Sequence, residues 1–143
     1  TAWGLTVKTF DGTTARYRGY FRPGADGGGI ALGVENISTW CHELCHAAES
    51  RLGRITKTGQ DPDQEIVAQL SACTLLQCLG MTVESDTGYT WMYIQHYANH
   101  AKVDPMTACQ RLLTRVCDTV ALIMTEYDAL QNVAAQPAEK AVA

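Results

Sequence analysis

Asn36-Ile37-Ser38-Thr39-Trp40-Cys41-His42-Glu43-Leu44-Cys45-His46-Ala47-Ala48-Glu49-Ser50-Arg51-Leu52-Gly53 is the stretch on which the reading of this chain turns. Residues 42–46 spell H-E-x-x-H, and on a helix two imidazoles four residues apart can grip one metal ion beside a carboxylate base. Asn36 or Ser38 can cap such a helix, and Leu52-Gly53 offers an end where glycine takes the left-handed cap. Ile37, Trp40, Cys41, Leu44, Ala47 and Ala48 recur at i, i+3, i+4 and i+7. At about 100° per residue that stripe lies nearly opposite His42 and His46. The expectation is a helix that packs by one face and presents both histidines on the other.

A catalytic zinc site takes three side-chain ligands and leaves its fourth position to water, so a third ligand is needed. Downstream, Asp61-Pro62-Asp63-Gln64 reads as an N-cap, a proline at the first helical position and a capping-box glutamine. Glu65 then falls in the first turn of a second helix. The 18 residues between His46 and Glu65 suffice for the end of one helix, a turn and an antiparallel return beside it. Ala68 and Ala72 share Glu65's side of the helix and would let the two helices approach closely. A glutamate in a first turn also favours the positive end of the helix dipole whatever else it does.

Around this pair the chain reads as strands first and helices afterwards. Thr6 to Phe10 and Thr14 to Phe21 alternate about Asp11-Gly12, a hairpin signal, and Ile30 to Val34 follows the Gly27-Gly28-Gly29 turn. Helices are expected at about 37–52, 62–79, 87–101 and 105–131, the last opened by Asp104-Pro105, with residues 132–143 frayed. The fold class is therefore α+β: a small twisted N-terminal sheet of about three strands on a mainly helical body. With 143 residues and 46% apolar content, 1–143 reads as a single domain.

Composition narrows the setting. A net charge of −4 argues against whole-molecule attraction to nucleic acid. Arg16, Arg18 and Arg22 concentrate positive charge locally, a pattern that protects exposed edge strands. No run approaches a membrane span and no signal-peptide pattern opens the chain, whose first residue Thr1 suggests a removed Met or a trimmed chain. Cys41, Cys45, Cys73, Cys78, Cys109 and Cys117 fall within expected helices at spacings unlike a zinc knuckle, so buried free thiols and a reducing cytoplasm are expected. Cys45, inside the metal motif, is a candidate for oxidation or adventitious ligation. His96 and His100 form a second i, i+4 pair that lacks an intervening carboxylate.

In order and spacing, these features resemble the zincin-like metallopeptidase domain of the ArdC antirestriction and polyvalent-protein family of plasmids and phages. The resemblance spans about residues 14–125. It rests on Tyr20-Phe21-Arg22-Pro23, Asp26 to Leu32 as an edge-strand segment, Thr39 to His46, Ser50-Arg51-Leu52, Glu65 to Ala72, Leu79-Gly80-Met81, and Tyr93-Ile94 with Tyr97. It implies zinc ligation by His42, His46 and Glu65, with Glu43 as base. Cys45 stands where many relatives carry Gly, and Gln69 where an acidic residue is common. The family's single-stranded-DNA-binding domain has no counterpart in so short a chain, so DNA contact is expected only through a partner or a missing domain. The stretch His42 to Ala48 is also similar to the start of the SprT/Spartan motif, but the later Gly-His-Gly segment of that group does not follow.

The resulting expectation is a zinc metalloprotease: one zinc ion on His42, His46 and Glu65, a water activated there, and Glu43 moving the proton from that water to the leaving amine of a protein substrate. Tyr93, His96 and Tyr97 are candidate oxyanion donors. Glu49, one turn beyond His46, is a candidate to orient the imidazoles. The competing expectations are a non-catalytic zinc-stabilised antirestriction or binding module, a SprT-like protease of DNA–protein crosslinks, and a domain without metal.

Overall fold

A computed structural model describes residues 3–25, 28–55 and 59–135. The element order is β1 (Thr6–Thr9), β2 (Gly19–Arg22), β3 (Gly29–Leu32), α1 (Ile37–Arg51), α2 (Pro62–Cys78), α3 (Thr87–His100) and α4 (Pro105–Ala135). The described residues form an α+β fold, a three-stranded sheet with four helices. No helix among the described residues is long and apolar enough to cross a membrane.

The sheet departs from the expected hairpin. Its order is β1-β3-β2, with β1 parallel and β2 antiparallel to β3. Asp11 does form a turn, its carboxylate accepting from the Thr13 amide and hydroxyl at 2.9 and 2.6 Å. Residues 13–18 then run as bends and loop, so no strand returns along β1. The physical reason lies in burial. Ile30 and Ala31 are buried, whereas every residue of β1 is exposed and β2 is at most half-buried, so the most buried strand, β3, takes the centre and the others take the edges. The expected edge-strand segment Asp26 to Leu32 is thus corrected for β3; Asp26 and Gly27 lie outside the described residues. Gly28 closes the β2–β3 connection at φ +86°, where an added Cβ would sit 2.5 Å from the Arg22 carbonyl.

The helices start where their caps foretell. The Asn36 side chain accepts from the Thr39 amide, the Asp61 carboxylate accepts from the Asp63 and Gln64 amides ahead of Pro62, and the Asp104 carboxylate accepts from the Thr107 amide. Helix α4 runs past the expected end to Ala135; the remainder of the frayed tail, 136–143, lies outside the described residues. Three helix ends share one hydrogen-bond pattern, closed at Gly53, Gly80 and Lys102. Lys102 holds this left-handed turn at φ +57° with a full side chain. Lys102→Gly is expected to raise stability by about 0.5–1 kcal/mol, measured as a higher denaturation midpoint.

Two clusters make the core. One joins Trp3, Leu5 and Ile30 to Cys41, Cys45 and Ala48 of α1, Ala68, Ala72 and Leu76 of α2, and Ile123 of α4. The other gathers Ile66 and Val67 of α2, Ile94 and Ala98 of α3, and Leu112 and Val116 of α4. Helix α2 belongs to both and is buried around its girth, as its apolar sequence implies. Small residues (Cys41, Cys45, Ala48, Ala68, Ala72) line the α1–α2 contact and allow close approach. The expected stripe of α1 holds in Cys41, Ala47 and Ala48, with Trp40 and Leu44 packed on the same core; it is corrected in that Cys45 joins it fully buried, Ile37 is 37% exposed, and the histidine side chains are only 12% exposed. Helix α1 is enclosed on two sides rather than offering its histidines outward.

Candidate metal centre

His42 and His46 come from successive turns of α1, and Glu65 from the first turn of α2. Glu65 faces both histidines, while Gln69, one turn further on, faces His42, the order that antiparallel helices give. The two Nε2 atoms lie 3.2 Å apart, Glu65 Oε2 is 3.4 Å from His42 Nε2, and Glu65 Oε1 is 3.8 Å from His46 Nε2. Ligands at ~2.0–2.1 Å from a tetrahedral zinc are separated by about 3.3 Å, so the three donors are spaced as one face of such a tetrahedron. Among the described residues this is the one group of three or more His, Cys, Asp or Glu whose donor atoms converge. Two imidazoles and a carboxylate could hold a divalent metal ion.

The charges of the triad are interlocked. Burial pushes the His46 imidazole down to about 4, with His42 adding to the fall, so His46 is neutral and ready to donate a lone pair. For His42, burial acts downward, but the Glu65 hydrogen bond, the Glu43 and Glu65 charges and Gln69 together raise it. Burial acts upward on Glu65, yet His42, His46 and the Tyr93 hydroxyl hold its carboxyl below the usual range. Tyr93 donates to Glu65 Oε2 at 2.7 Å and packs edge-on against His42 at 5.6 Å between centroids. Tyr97 stands behind it, its ring tilted against that of Tyr93 at 4.9 Å between centroids.

Glu43 is 6% exposed and lines the same cleft as the triad. Burial raises its carboxyl to about 7; the Glu65 charge adds to the rise, while His42 and the Phe21 amide oppose it. Strand β2 reaches this carboxylate because Gly19 has no side chain. A Cβ there would lie 3.0 Å from Thr39 Cγ2, 3.1 Å from Glu43 Oε1 and 3.2 Å from the Ala31 carbonyl. The cleft above the triad measures about 970 Å³, walled by residues 16–23 on one side and by Tyr89, Tyr93 and Tyr97 on the other.

Of the further candidates, Tyr93 and Tyr97 line the cleft and His96 does not. His96 is exposed on the outer face of α3, edge-on to Tyr97 at 5.1 Å and tilted against His100 at 4.5 Å between centroids, and is removed as an oxyanion donor. Glu49 is corrected as well. Its fully buried carboxylate is bound by Arg115, accepts from Thr119 Oγ1 at 3.0 Å and lies 3.6 Å from Arg54 Nη1. Those partners come from α4 and from the residue that follows the α1 cap, not from the histidines. Cys45 is no ligand candidate either, since it is wholly buried among apolar residues and burial pushes its thiol well up. All six cysteines are free, with Cys78 and Cys117 exposed rather than buried.

The residue that does orient an imidazole is Gln69. Its Oε1 lies 3.1 Å from His42 Nδ1, its Nε2 donates to Thr90 Oγ1 at 3.0 Å, and Thr90 donates to the Ser85 carbonyl at 3.3 Å. This relay fixes the tautomer that turns Nε2 of His42 toward the other donors. Its position one turn after Glu65 on the same face was the available sequence signal. Gln69→Leu is expected to weaken zinc binding about 10–100-fold in a chelator competition titration, and Gln69→Glu to restore it. Gly19 carried no such signal, because its role exists only once β2 lies against α1. The chain matches no family model, no curated protein and no solved structure.

Proposed function

We propose that the chain is a zinc-dependent endopeptidase of the Glu-zincin type. His42, His46 and Glu65 would hold one zinc ion, and Glu43 is the general base. The observation that supports this most directly is the donor triangle at the floor of an open cleft, with a second, buried carboxylate beside it. Zinc at that place would supply Lewis acidity to a water and to the carbonyl of a scissile peptide bond. Glu43 takes the proton from the attacking water and delivers it to the leaving amine, a task suited to a carboxyl whose burial lifts it toward neutrality. Tyr93 holds Glu65 in place, and Tyr97 backs Tyr93.

The likeness of order and spacing to the ArdC-type zincin domain accords with this reading and suggests a mobile-element protein with a protein substrate. Six free thiols fit a reducing compartment such as the cytoplasm. Removal of metal with a chelator is expected to abolish hydrolysis of a denatured protein substrate, and stoichiometric zinc to restore it. Stoichiometric zinc binding with no hydrolysis of any unfolded substrate would instead make the site a stabilising one, as in a non-catalytic antirestriction or binding module.

A further inference from the structure

The wall of the cleft opposite the tyrosines carries Arg16, Arg18 and Arg22, all exposed. None of the three makes an ion pair among the described residues, whereas Arg54, Arg111 and Arg115 on the helical body are each paired with a carboxylate. The contrast matters because the protein is acidic overall, with 15 Asp and Glu against 11 Lys and Arg. The two carboxylates that line the cleft, Glu43 and Glu65, are both committed to its floor. Three like charges within seven residues repel one another, and no carboxylate among the described residues pairs with them.

The wall is also braced. Arg22 lies over the Tyr20 ring at 4.8 Å, and Tyr20 packs with Tyr17 and Phe10 at 5.5 and 5.8 Å between centroids. Tyr17 and Phe10 complete the triangle at 5.7 Å. Arg22 is thus displayed from the end of β2, and Arg16 and Arg18 from the loop before it, which Tyr17 ties to Phe10 and Tyr20. Strand β2 is the sheet edge at this wall, with β3 on its other side. An extended polypeptide can use both features at once, pairing with strand backbone and placing acidic side chains against guanidinium groups. A nucleic acid strand has no use for the edge and meets a molecule of net charge −4 beyond the wall.

We propose that the Arg16/Arg18/Arg22 wall selects acidic polypeptide, so that the substrates of this site carry Asp or Glu close to the scissile bond. This rests on the peptidase reading for the word substrate, but the binding claim stands by itself. The test uses zinc-loaded Glu43→Gln protein and three labelled peptides of one sequence, with flanking residues Asp/Glu, Asn/Gln or Lys, alongside oligodeoxythymidine. The acidic peptide is expected to bind about tenfold more tightly than the neutral one, and the lysine peptide most weakly. Added salt should shrink the difference. Arg16→Ala/Arg18→Ala should erase it with zinc content unchanged.

Equal binding of acidic and neutral peptides with zinc in place would overturn the proposal. So would tighter binding of the oligonucleotide, or a double variant that self-associates while keeping the preference, which would make the arginines edge protection. Acidic preference without hydrolysis by the wild-type protein would leave this proposal standing and remove the peptidase reading. Hydrolysis without charge preference would do the reverse.

Discussion

Replacing Glu43 with Gln is expected to lower peptide hydrolysis by roughly two to four orders of magnitude while leaving zinc bound at the wild-type stoichiometry. The substitution keeps shape and volume and removes the proposed base. Its neighbours tolerate it. Gly19 leaves room for an amide as for a carboxylate. The ligands are untouched, since Glu43 is no member of the donor triangle. Loss of one buried charge beside His42 and Glu65 relaxes the site rather than straining it. Measured together, turnover of an unfolded substrate and zinc content separate the base from the ligands. Full activity in the variant would sink the assignment of Glu43, and loss of zinc would make it a structural support of the site.

The second large effect is on stability. Arg115→Ala is expected to destabilise the fold by about 3 kcal/mol, read as a lower urea midpoint, because it strands the Glu49 carboxylate. That carboxylate is wholly buried in the last turn of α1, where the helix dipole is unfavourable to negative charge. Arg115 binds it through Nε at 3.0 Å and through Nη2, Thr119 donates to its other oxygen, and Arg54 approaches at 3.6 Å while bonding Asp118 at 2.5 Å. Arg54 survives in the variant and sets the loss at the lower end of the range for a broken buried pair. Replacing both partners, as Glu49→Leu/Arg115→Met, is expected to recover most of the stability, since a well-packed apolar pair needs no compensation. A single variant as stable as wild type would show the carboxylate hydrated or otherwise paired. Zinc affinity of the folded Arg115→Ala protein should be unchanged, which separates this cluster from the metal centre.

What the sequence disclosed and what it withheld follow from the range of the forces involved. Caps act over a few residues, so Asn36, Asp61-Pro62 and Asp104-Pro105 mark the helix starts from local chemistry alone. The donor set was legible for a similar reason: His42 and His46 are related by helical spacing, and Glu65 by a capped start at a defined distance. Strand pairing is not local. Alternation in 6–10 and 14–21 announced extended chain, but the partner was decided by the burial of Ile30 and Ala31, which brought β3 between the other two strands. Glu49 misled because angular position on a helix says nothing of height. It shares an angular sector with His42 but lies about 10 Å further along the axis, where the neighbour is α4 rather than the cleft. Gly19, and Cys45 as a core residue, became readable only against a second element.

The Glu49–Arg115 contact spans 66 residues of chain, whereas His42 reaches Gln69 across 27. Closing the longer loop costs roughly 0.8 kcal/mol more chain entropy. The candidate metal centre is thus a near-neighbour affair of two consecutive helices, and the bond that clamps α4 to them is a distant one. Loss of the clamp and loss of the ligands are separate failures in this topology, and the donor triangle is the part the chain can assemble first.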